Sequence, residues 1–189
     1  MIVIEGPDGA GKTTLIKELV GEYRFKVGER GTKDRDLLYT VTVPDTMRAI
    51  RKMLAARQGG WDPVIWDRLY YSDLVYAPIQ GREVAFSREE RRFVEFTLRE
   101  LQVPVILCLP PWDIVQRNVL DENRHEMPKV KQNIDRIYRA YRHGMAGRWY
   151  TFHYDYTLGD LHRQELLTHI NNYLELRRKR TWSLAPGQR

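Results

Sequence analysis

Short, continuous apolar runs alternate along the chain with longer segments whose apolar residues recur at helical spacing. The runs at residues 2–4, 64–66 and 103–109 are typical of strands buried on both faces of a parallel sheet. Residues 149–154 predict a later strand, and residues 24–27 predict a weaker one. Because strands alternate with helices, we predict an α/β fold with a doubly wound, five-stranded parallel sheet flanked by helices.

Polar residues at the expected positions mark where two of these helices begin. Ser87 and Glu90 fit a capping box, in which each side chain bonds to the other residue's backbone. Asp113 is expected to cap a short helix that follows the strand at 103–109. Apolar periodicity predicts two further helices, at residues 130–141 and 161–176.

Nothing in the sequence divides the chain into separate parts. Its 189 residues suffice for one core, so we predict a single domain over residues 1–189. A short lid is expected at about 117–130, and a flexible C-terminal tail at about 181–189. No segment approaches 18 apolar residues, so no membrane span is expected, and the first residues lack the basic leader of a signal peptide.

Charge and cysteine content indicate which binding partners and which cellular compartment to expect. The single cysteine, Cys108, lies in an apolar run, so we expect an inert core thiol, which fits the reducing cytoplasm. The net charge of +6 is compatible with nucleic acid, an anionic membrane surface or small anionic substrates. Its one dense cluster, residues 177–180, is better interpreted as the charged end of the last helix than as a nucleic-acid arm. A nucleic-acid partner is therefore not expected.

The first predicted strand leads into the segment EGPDGAGKTT, residues 5–14, which contains the pattern G-x-x-x-x-G-K-[ST]. In this phosphate loop, backbone amides and the start of the next helix converge on phosphate oxygens. Lys12 should reach the β- and γ-phosphates of ATP, and the Thr13 hydroxyl should bind Mg²⁺. The residues predicted to hold the ATP phosphates are Asp8, Gly9, Ala10, Gly11, Lys12, Thr13 and Thr14.

Asp67 and Arg68 follow the strand at residues 64–66. Asp67 is placed to bind Mg²⁺ directly or through water, and the Arg68 guanidinium suits a second phosphate. The alternative is a salt bridge at the end of a strand. The aromatic segment at 69–76 suits a sugar or nucleobase, although tyrosines on a helix are often half-buried core.

Arginines are also frequent between residues 117 and 142, and Arg117 and Arg124 are candidates for a closing lid. For Arg124, a solvated turn is an equal alternative. Other classes lack their markers: the histidines show no zinc-ligand spacing, and the guanine-recognition pattern Asn-Lys-x-Asp of GTPases is missing.

Residues 4–14 and 64–68, with Ser72 and Tyr76 downstream and Pro110-Pro111 later, resemble the thymidylate kinases among the P-loop nucleoside monophosphate kinases. The resemblance implies transfer of a phosphoryl group from ATP to a deoxynucleoside monophosphate, with dTMP as the expected acceptor. It also implies a homodimer and Mg²⁺ as the metal.

The same resemblance assigns roles to single residues. Asp8 would contact the acceptor sugar, Arg68 the acceptor phosphate and Tyr76 the deoxyribose, with Ser72 in the same segment. Arg48 lies in the neighbourhood of the residues that read the base in relatives.

Two departures from the family pattern shape the remaining expectations. Gly9 stands where some relatives carry an arginine, so the catalytic arginine is expected from the lid, as Arg117 or Arg124. Cys108 stands where relatives often have Asp, so metal binding would rest on Thr13 and Asp67.

Two alternatives stay open. A deoxynucleoside kinase would phosphorylate a 5′-hydroxyl and would need a general base such as Glu29. A non-catalytic protein would bind nucleotides or nucleic acid only.

Overall fold

The computed structural model describes residues 1–27, 46–47, 50–51, 64–121, 128–145 and 151–182. Five parallel strands form one sheet in the order β2-β3-β1-β4-β5. Every residue of the apolar strands β1 and β4 is buried, as expected of strands that helices cover on both faces. In chain order the strands are β1 (Ile2–Glu5), β2 (Lys26–Val27), β3 (Val64–Asp67), β4 (Val105–Cys108) and β5 (Thr151–Tyr154).

Helices connect the strands and flank the sheet. They are α1 (Lys12–Tyr23), α2 (Tyr70–Gln80), α3 (Arg88–Glu100), α4 (Trp112–Leu120), α5 (Pro128–Met145) and α6 (Asp160–Trp182). A 3₁₀ turn at Tyr156–Leu158 lies between β5 and α6, and residues 46–47 and 50–51 are also helical. The predicted α/β architecture, with its five-stranded parallel sheet, is confirmed.

The predicted helix starts are partly confirmed. The Ser87 hydroxyl accepts a hydrogen bond from the Glu90 amide at 3.2 Å, and the Glu90 carboxylate accepts one from the Ser87 amide at 2.8 Å. The capping role predicted for Asp113 is wrong, because the N-cap of α4 is Pro111, two residues earlier, and the helix begins at Trp112. Pro111 already has the extended backbone (ψ 147°) from which the helix starts, and Asp113 lies in the first turn, where its charge still suits the helix dipole.

Several predicted features fall wholly or partly outside the described residues. The predicted lid at about 117–130 overlaps the end of α4 and the start of α5, while residues 122–127 are outside. Arg48, Arg124, Glu29 and the tail residues 183–189 are outside as well. The lid, the flexible tail and the single-domain organisation therefore stay predictions.

The basic cluster at 177–180 is helical, as predicted, because α6 continues to Trp182. Arg177 is buried rather than solvated: its Nε donates to the Tyr173 hydroxyl at 3.3 Å. Among the helices of the described ranges, none combines the length and the apolar character needed to cross a membrane.

The order of the strands creates a crevice at one edge of the sheet. The chain leaves β1 towards β2 on one side and leaves the adjacent strand β4 towards β5 on the other side. In sheets of this kind, ligands bind where neighbouring connections diverge, outside the carboxyl ends of the strands. The segment at residues 6–14 lies at this point.

Candidate active site

The phosphate loop, residues 6–14, is shaped by glycines with positive φ. Gly6, Gly9 and Gly11 have φ of 141°, 76° and 81°. A Cβ at Gly6 would lie 2.3 Å from the Cys108 carbonyl oxygen, and one at Gly9 would lie 2.8 Å from a methyl carbon of Val119. The loop therefore packs against β4 and α4 at distances that only glycine permits.

This packing predicts a large loss of stability for Gly6→Ala. A methyl group there must displace the backbone of β4, and we expect the free energy of unfolding to fall by about 2 to 4 kcal/mol. Gly21→Ala in α1 is the matched control, because its Cβ would meet no atom within 4 Å. In urea unfolding, the control should be neutral or slightly more stable. Equal stability of the two variants would contradict the close packing of Gly6.

The loop opens into a cavity of about 570 Å³. Its wall combines the loop, the ends of β3 and β5 and one side of α4. The lining residues are Asp8, Gly9, Ala10, Gly11, Lys12, Thr13, Thr14, Leu15, Glu18, Asp67, Arg68, Asn118, Tyr154 and Tyr156. The predicted ATP-phosphate residues, together with Asp67 and Arg68, thus meet in one cavity.

Lys12 is buried at the start of α1, and its Nζ donates to the Pro7 carbonyl at 2.5 Å. Burial and the nearby positive charge of Arg68 lower the pKa of Lys12 to about 7, although Asp8, Cys108 and Glu5 act in the opposite direction. The amine is therefore poised to gain a proton when an anion enters the loop.

Arg68 leaves β3 with its guanidinium buried against Asp8. Its Nη2 donates to the Asp8 carboxylate at 2.5 Å, and its guanidinium carbon lies 4.8 Å from the centre of the Tyr76 ring. The Tyr76 hydroxyl donates to the other Asp8 oxygen at 2.9 Å. Burial raises the pKa of Asp8, but the charges of Arg68 and Lys12 and these hydrogen bonds outweigh it, so the net pKa is lowered. Asp8 is thus a carboxylate near neutral pH.

The other edge of the guanidinium is held from three elements. Nη1 of Arg68 donates to the Gly6 carbonyl at 2.9 Å and to the Tyr141 hydroxyl at 3.0 Å, and Ser72 Oγ lies 3.3 Å away. Gly6 belongs to the phosphate loop, Ser72 to α2 and Tyr141 to α5. The side chain of Arg68 is therefore fixed, with its Nη2 edge beside the cavity-lining Asp8.

Glu5, the last residue of β1, lies behind this arrangement and is 1% exposed. Its carboxylate accepts hydrogen bonds from the Leu69 amide at 2.7 Å, from Ser72 Oγ at 2.7 Å and from the Tyr141 hydroxyl at 3.1 Å. Burial raises the pKa of Glu5, and the Arg68 charge and the three donors offset only part of that rise.

The residues predicted to bind Mg²⁺ fit that ion by their chemistry. The exposed Thr13 hydroxyl and the half-buried Asp67 carboxylate line the same cavity as the phosphate loop. Both supply hard oxygen ligands, and Mg²⁺ usually completes its shell with water and phosphate oxygens. Among the described residues, no cluster of His, Cys, Asp and Glu offers a three-ligand protein site.

The remaining predicted residues lie elsewhere. Ser72 and Tyr76 are fully buried behind Arg68 rather than on the cavity wall. Arg117 is exposed on α4 and does not line the cavity. For all of the predicted site residues, contact with a ligand stays a prediction.

One contact that fixes the loop from the side of α4 was not predicted from the sequence. Asn118 Nδ2 donates to the Gly9 carbonyl at 2.8 Å and to the Tyr156 hydroxyl at 3.0 Å. The Tyr156 ring lies against Gly11, 3.0 Å from where a Cβ would be. Neither residue belongs to a local motif, and a lone Asn on a helix and a Tyr after a strand give no signal in a single sequence.

Comparison with known proteins gives a match in structure only. No protein-family model matches the chain, and no curated protein matches it either. The YorR protein from Bacillus subtilis, solved in complex with phosphorylated GDP, is 20% identical, with a TM-score of 0.66 over 94% of this chain and 97% of that chain.

Two kinases are also similar in structure. Deoxyadenosine kinase from M. mycoides with bound dATP is 16% identical, with a TM-score of 0.54 over 90% of this chain and 98% of that chain. Thymidylate kinase from Candida albicans is 14% identical, with a TM-score of 0.53 over 91% of this chain and 92% of that chain. The chain therefore has the fold that these nucleoside and nucleotide kinases share.

Proposed function

We propose that the protein transfers a phosphoryl group from ATP to a deoxynucleoside monophosphate, with dTMP as the expected acceptor, in nucleotide biosynthesis in the cytoplasm. One observation carries the proposal. Lys12, at the start of α1, and Arg68, which follows β3, line one cavity beside the loop with the pattern G-x-x-x-x-G-K-[ST]. Lys12 would meet the donor phosphates, and Arg68, whose charge Asp8 balances in the free protein, would meet the acceptor phosphate.

The donor half of the reaction uses the phosphate loop. Its amides and the start of α1 would hold the ATP phosphates, and Lys12 would neutralise charge on the β- and γ-phosphates. Thr13 and Asp67 would hold Mg²⁺, which supplies further neutralisation of phosphate charge when it is bound. These residues position the transferred group and lower the cost of its developing charge.

The acceptor half uses Arg68. Its Nη1 edge is bonded to groups behind the cavity, whereas its Nη2 edge bonds to Asp8, which is on the cavity wall. An acceptor phosphate would therefore approach the Nη2 edge. A phosphate oxygen is already ionised at neutral pH, so it attacks without a general base.

The two carboxylates bonded around Arg68, Asp8 and Glu5, fit a phosphate acceptor better than a hydroxyl acceptor. Asp8 has a lowered pKa, which makes it a weak base, and Glu5 is enclosed by three hydrogen-bond donors and does not line the cavity. Asp8 and Glu5 therefore give no support to deprotonation of a 5′-hydroxyl.

A substrate panel tests the proposal. ADP release should be measured with ATP, Mg²⁺ and each of the common deoxynucleosides and their monophosphates. We expect turnover with monophosphates and highest kcat/KM for dTMP. Turnover with nucleosides alone would establish the deoxynucleoside kinase alternative. No turnover with either class, together with nucleotide or DNA binding, would overturn the kinase proposal.

Nucleotide affinity should fall as pH rises above about 7. The free protein has Lys12 with a pKa of about 7, and bound phosphates would raise that pKa. Below pH 7 the amine is already charged, whereas above it binding must take up a proton, so the affinity should fall by up to about tenfold per pH unit.

Calorimetric titration with ADP between pH 7.5 and 9 checks this prediction, because buffers of different ionisation enthalpy reveal the proton taken up. Lys12→Arg is the control, since its guanidinium stays charged and should give a flat profile. An equally flat profile for the unmodified protein would contradict the assigned pKa.

We also propose that the protein forms a homodimer through α3. Phe93 and Phe96 lie one turn apart on this helix and are 49% and 62% exposed. Light scattering after gel filtration should give twice the chain mass, and Phe96→Glu should give the monomer. Leu161→Glu, at a residue 76% exposed on α6, is the control and should leave the dimer intact. A monomeric unmodified protein would contradict the proposal.

A further inference from the structure

The backbone at Arg68 is held in a conformation that non-glycine residues rarely adopt. Its φ is 69°, in the left-handed region. The amides on both sides of this position are bonded to the end of β1: the Arg68 amide donates to the Ile4 carbonyl at 2.8 Å, and the Leu69 amide donates to the Glu5 carboxylate at 2.7 Å. Strained backbone of this kind persists where surrounding contacts over-determine it, commonly at functional sites.

The second oxygen of Glu5 acts on the guanidinium through two hydroxyls. It accepts hydrogen bonds from Ser72 Oγ at 2.7 Å and from the Tyr141 hydroxyl at 3.1 Å. Each hydroxyl has a single hydrogen, so a hydroxyl that donates to Glu5 presents lone pairs to its other neighbours. The two hydroxyl oxygens lie 2.8 Å from each other, and both lie within reach of Nη1 of Arg68, at 3.3 Å and 3.0 Å.

Glu5 thus bonds to the Leu69 amide, directly after Arg68, and to the two hydroxyls that contact the Arg68 guanidinium. It is 1% exposed and is not on the cavity wall, so a substrate in the cavity does not reach it. The hydrogen bonds of Glu5 therefore reach the cavity through Arg68, whereas its charge also acts on Lys12.

We propose that Glu5 is a positioning residue that fixes the Arg68 guanidinium for the acceptor phosphate. This inference rests on the proposed kinase function. It assigns Glu5, the residue before the phosphate loop, to the acceptor half of the site, although Glu5 adjoins the donor half in the sequence.

Glu5→Gln tests the inference, because glutamine keeps the volume and one accepting oxygen but replaces the other oxygen with an NH₂ group. That group donates and does not accept from Ser72 and Tyr141. We expect the acceptor KM to rise and kcat to fall, so that kcat/KM for the acceptor falls on the order of a hundredfold. The KM for ATP should stay within about twofold of the unmodified value.

Asp73→Asn is the matched control. Asp73 is also a fully buried carboxylate, but it bonds to Arg82 and to the Ala85 amide, outside the site. A general loss of stability should affect both variants, whereas only Glu5→Gln should separate the acceptor KM from the ATP KM. Unchanged acceptor kinetics in Glu5→Gln would overturn the inference.

A second measurement does not depend on catalysis. In ¹H–¹⁵N NMR spectra, the clamped Nη groups of Arg68 should give separate resonances, assigned by their loss in Arg68→Lys. They should merge in Glu5→Gln and stay separate in Asp73→Asn. If the unmodified protein phosphorylates no nucleotide, the proposed function fails, but this spectrum still tests whether Glu5 fixes the Arg68 guanidinium. Separate resonances in Glu5→Gln would overturn the inference.

Tyr141→Phe covers the case in which Glu5→Gln does not fold, since it removes one of the two hydroxyls and leaves the carboxylate in place. It should raise the acceptor KM more than the ATP KM, in the same direction as Glu5→Gln. Equal or absent effects on the two constants would overturn the inference.

Discussion

Lys12→Met should reduce kcat by about a hundredfold to a thousandfold at saturating ATP and acceptor. Methionine nearly matches the length of the lysine side chain, so the loop should keep its shape while the positive charge at the transferred phosphate is lost. The effect should appear mainly in kcat, because charge on the phosphoryl group develops most in the transition state. Steady-state ADP release measures it.

Lys17→Met is the control for Lys12→Met. Lys17 is an exposed residue of the same helix, α1, and does not line the cavity. Its variant should have the kcat of the unmodified protein. If Lys12→Met kept kcat within about tenfold, the loop would not supply the catalytic charge that we assign to it.

Arg68→Lys should reduce kcat/KM for the acceptor by about a hundredfold or more and leave ATP binding unchanged. A lysine keeps the charge that balances Asp8 and Glu5, so the buried carboxylates stay compensated. It lacks the planar fork that bonds to Asp8 with one nitrogen and to Gly6 and Tyr141 with the other. The loss should therefore come from geometry rather than from charge.

Arg68→Ala should behave differently, because it removes the guanidinium between Asp8 and Glu5 and leaves these buried carboxylates with only the nearby Lys12 as counter-charge, at a cost of about 3 to 5 kcal/mol of stability. Arg82→Lys is the control for Arg68→Lys, since Arg82 pairs with Asp73 away from the cavity. The kcat/KM for the acceptor should fall in Arg68→Lys and stay unchanged in Arg82→Lys. If both retained full acceptor kcat/KM, the acceptor phosphate would not depend on Arg68.

The fold could be predicted because its signals are local. Apolar runs give the strands, and the capping box of Ser87 and Glu90 is contained within four residues. The prediction failed at Asp113 because a good capping residue followed Pro111, which itself provides the N-cap. The cations at 177–180 lie in α6, as predicted, but the helix continues to Trp182, two residues into the predicted tail, and Arg177 packs on Tyr173 within it.

The site could be predicted only where a short motif carries it. The phosphate loop and the Asp67-Arg68 pair are contiguous segments, and the structure brings them into one cavity. The contact of Tyr141 with Arg68 joins residues 73 positions apart, and that with Glu5 joins residues 136 apart. In the sequence, a tyrosine in a helical pattern looks the same whether it packs in the core or bonds to a guanidinium. Such contacts can therefore be recognised only in the three-dimensional structure.

The position of Cys108 gives the unmodified protein a chemical reporter. The chain has no other cysteine, and this thiol is 1% exposed, in the residue whose carbonyl faces Gly6. Burial raises the pKa of Cys108 to about 12, so an alkylating reagent reacts only after β4 and the phosphate loop separate. The alkylation rate therefore measures how often this part of the core opens, and a ligand that ties the loop to β4 will slow it.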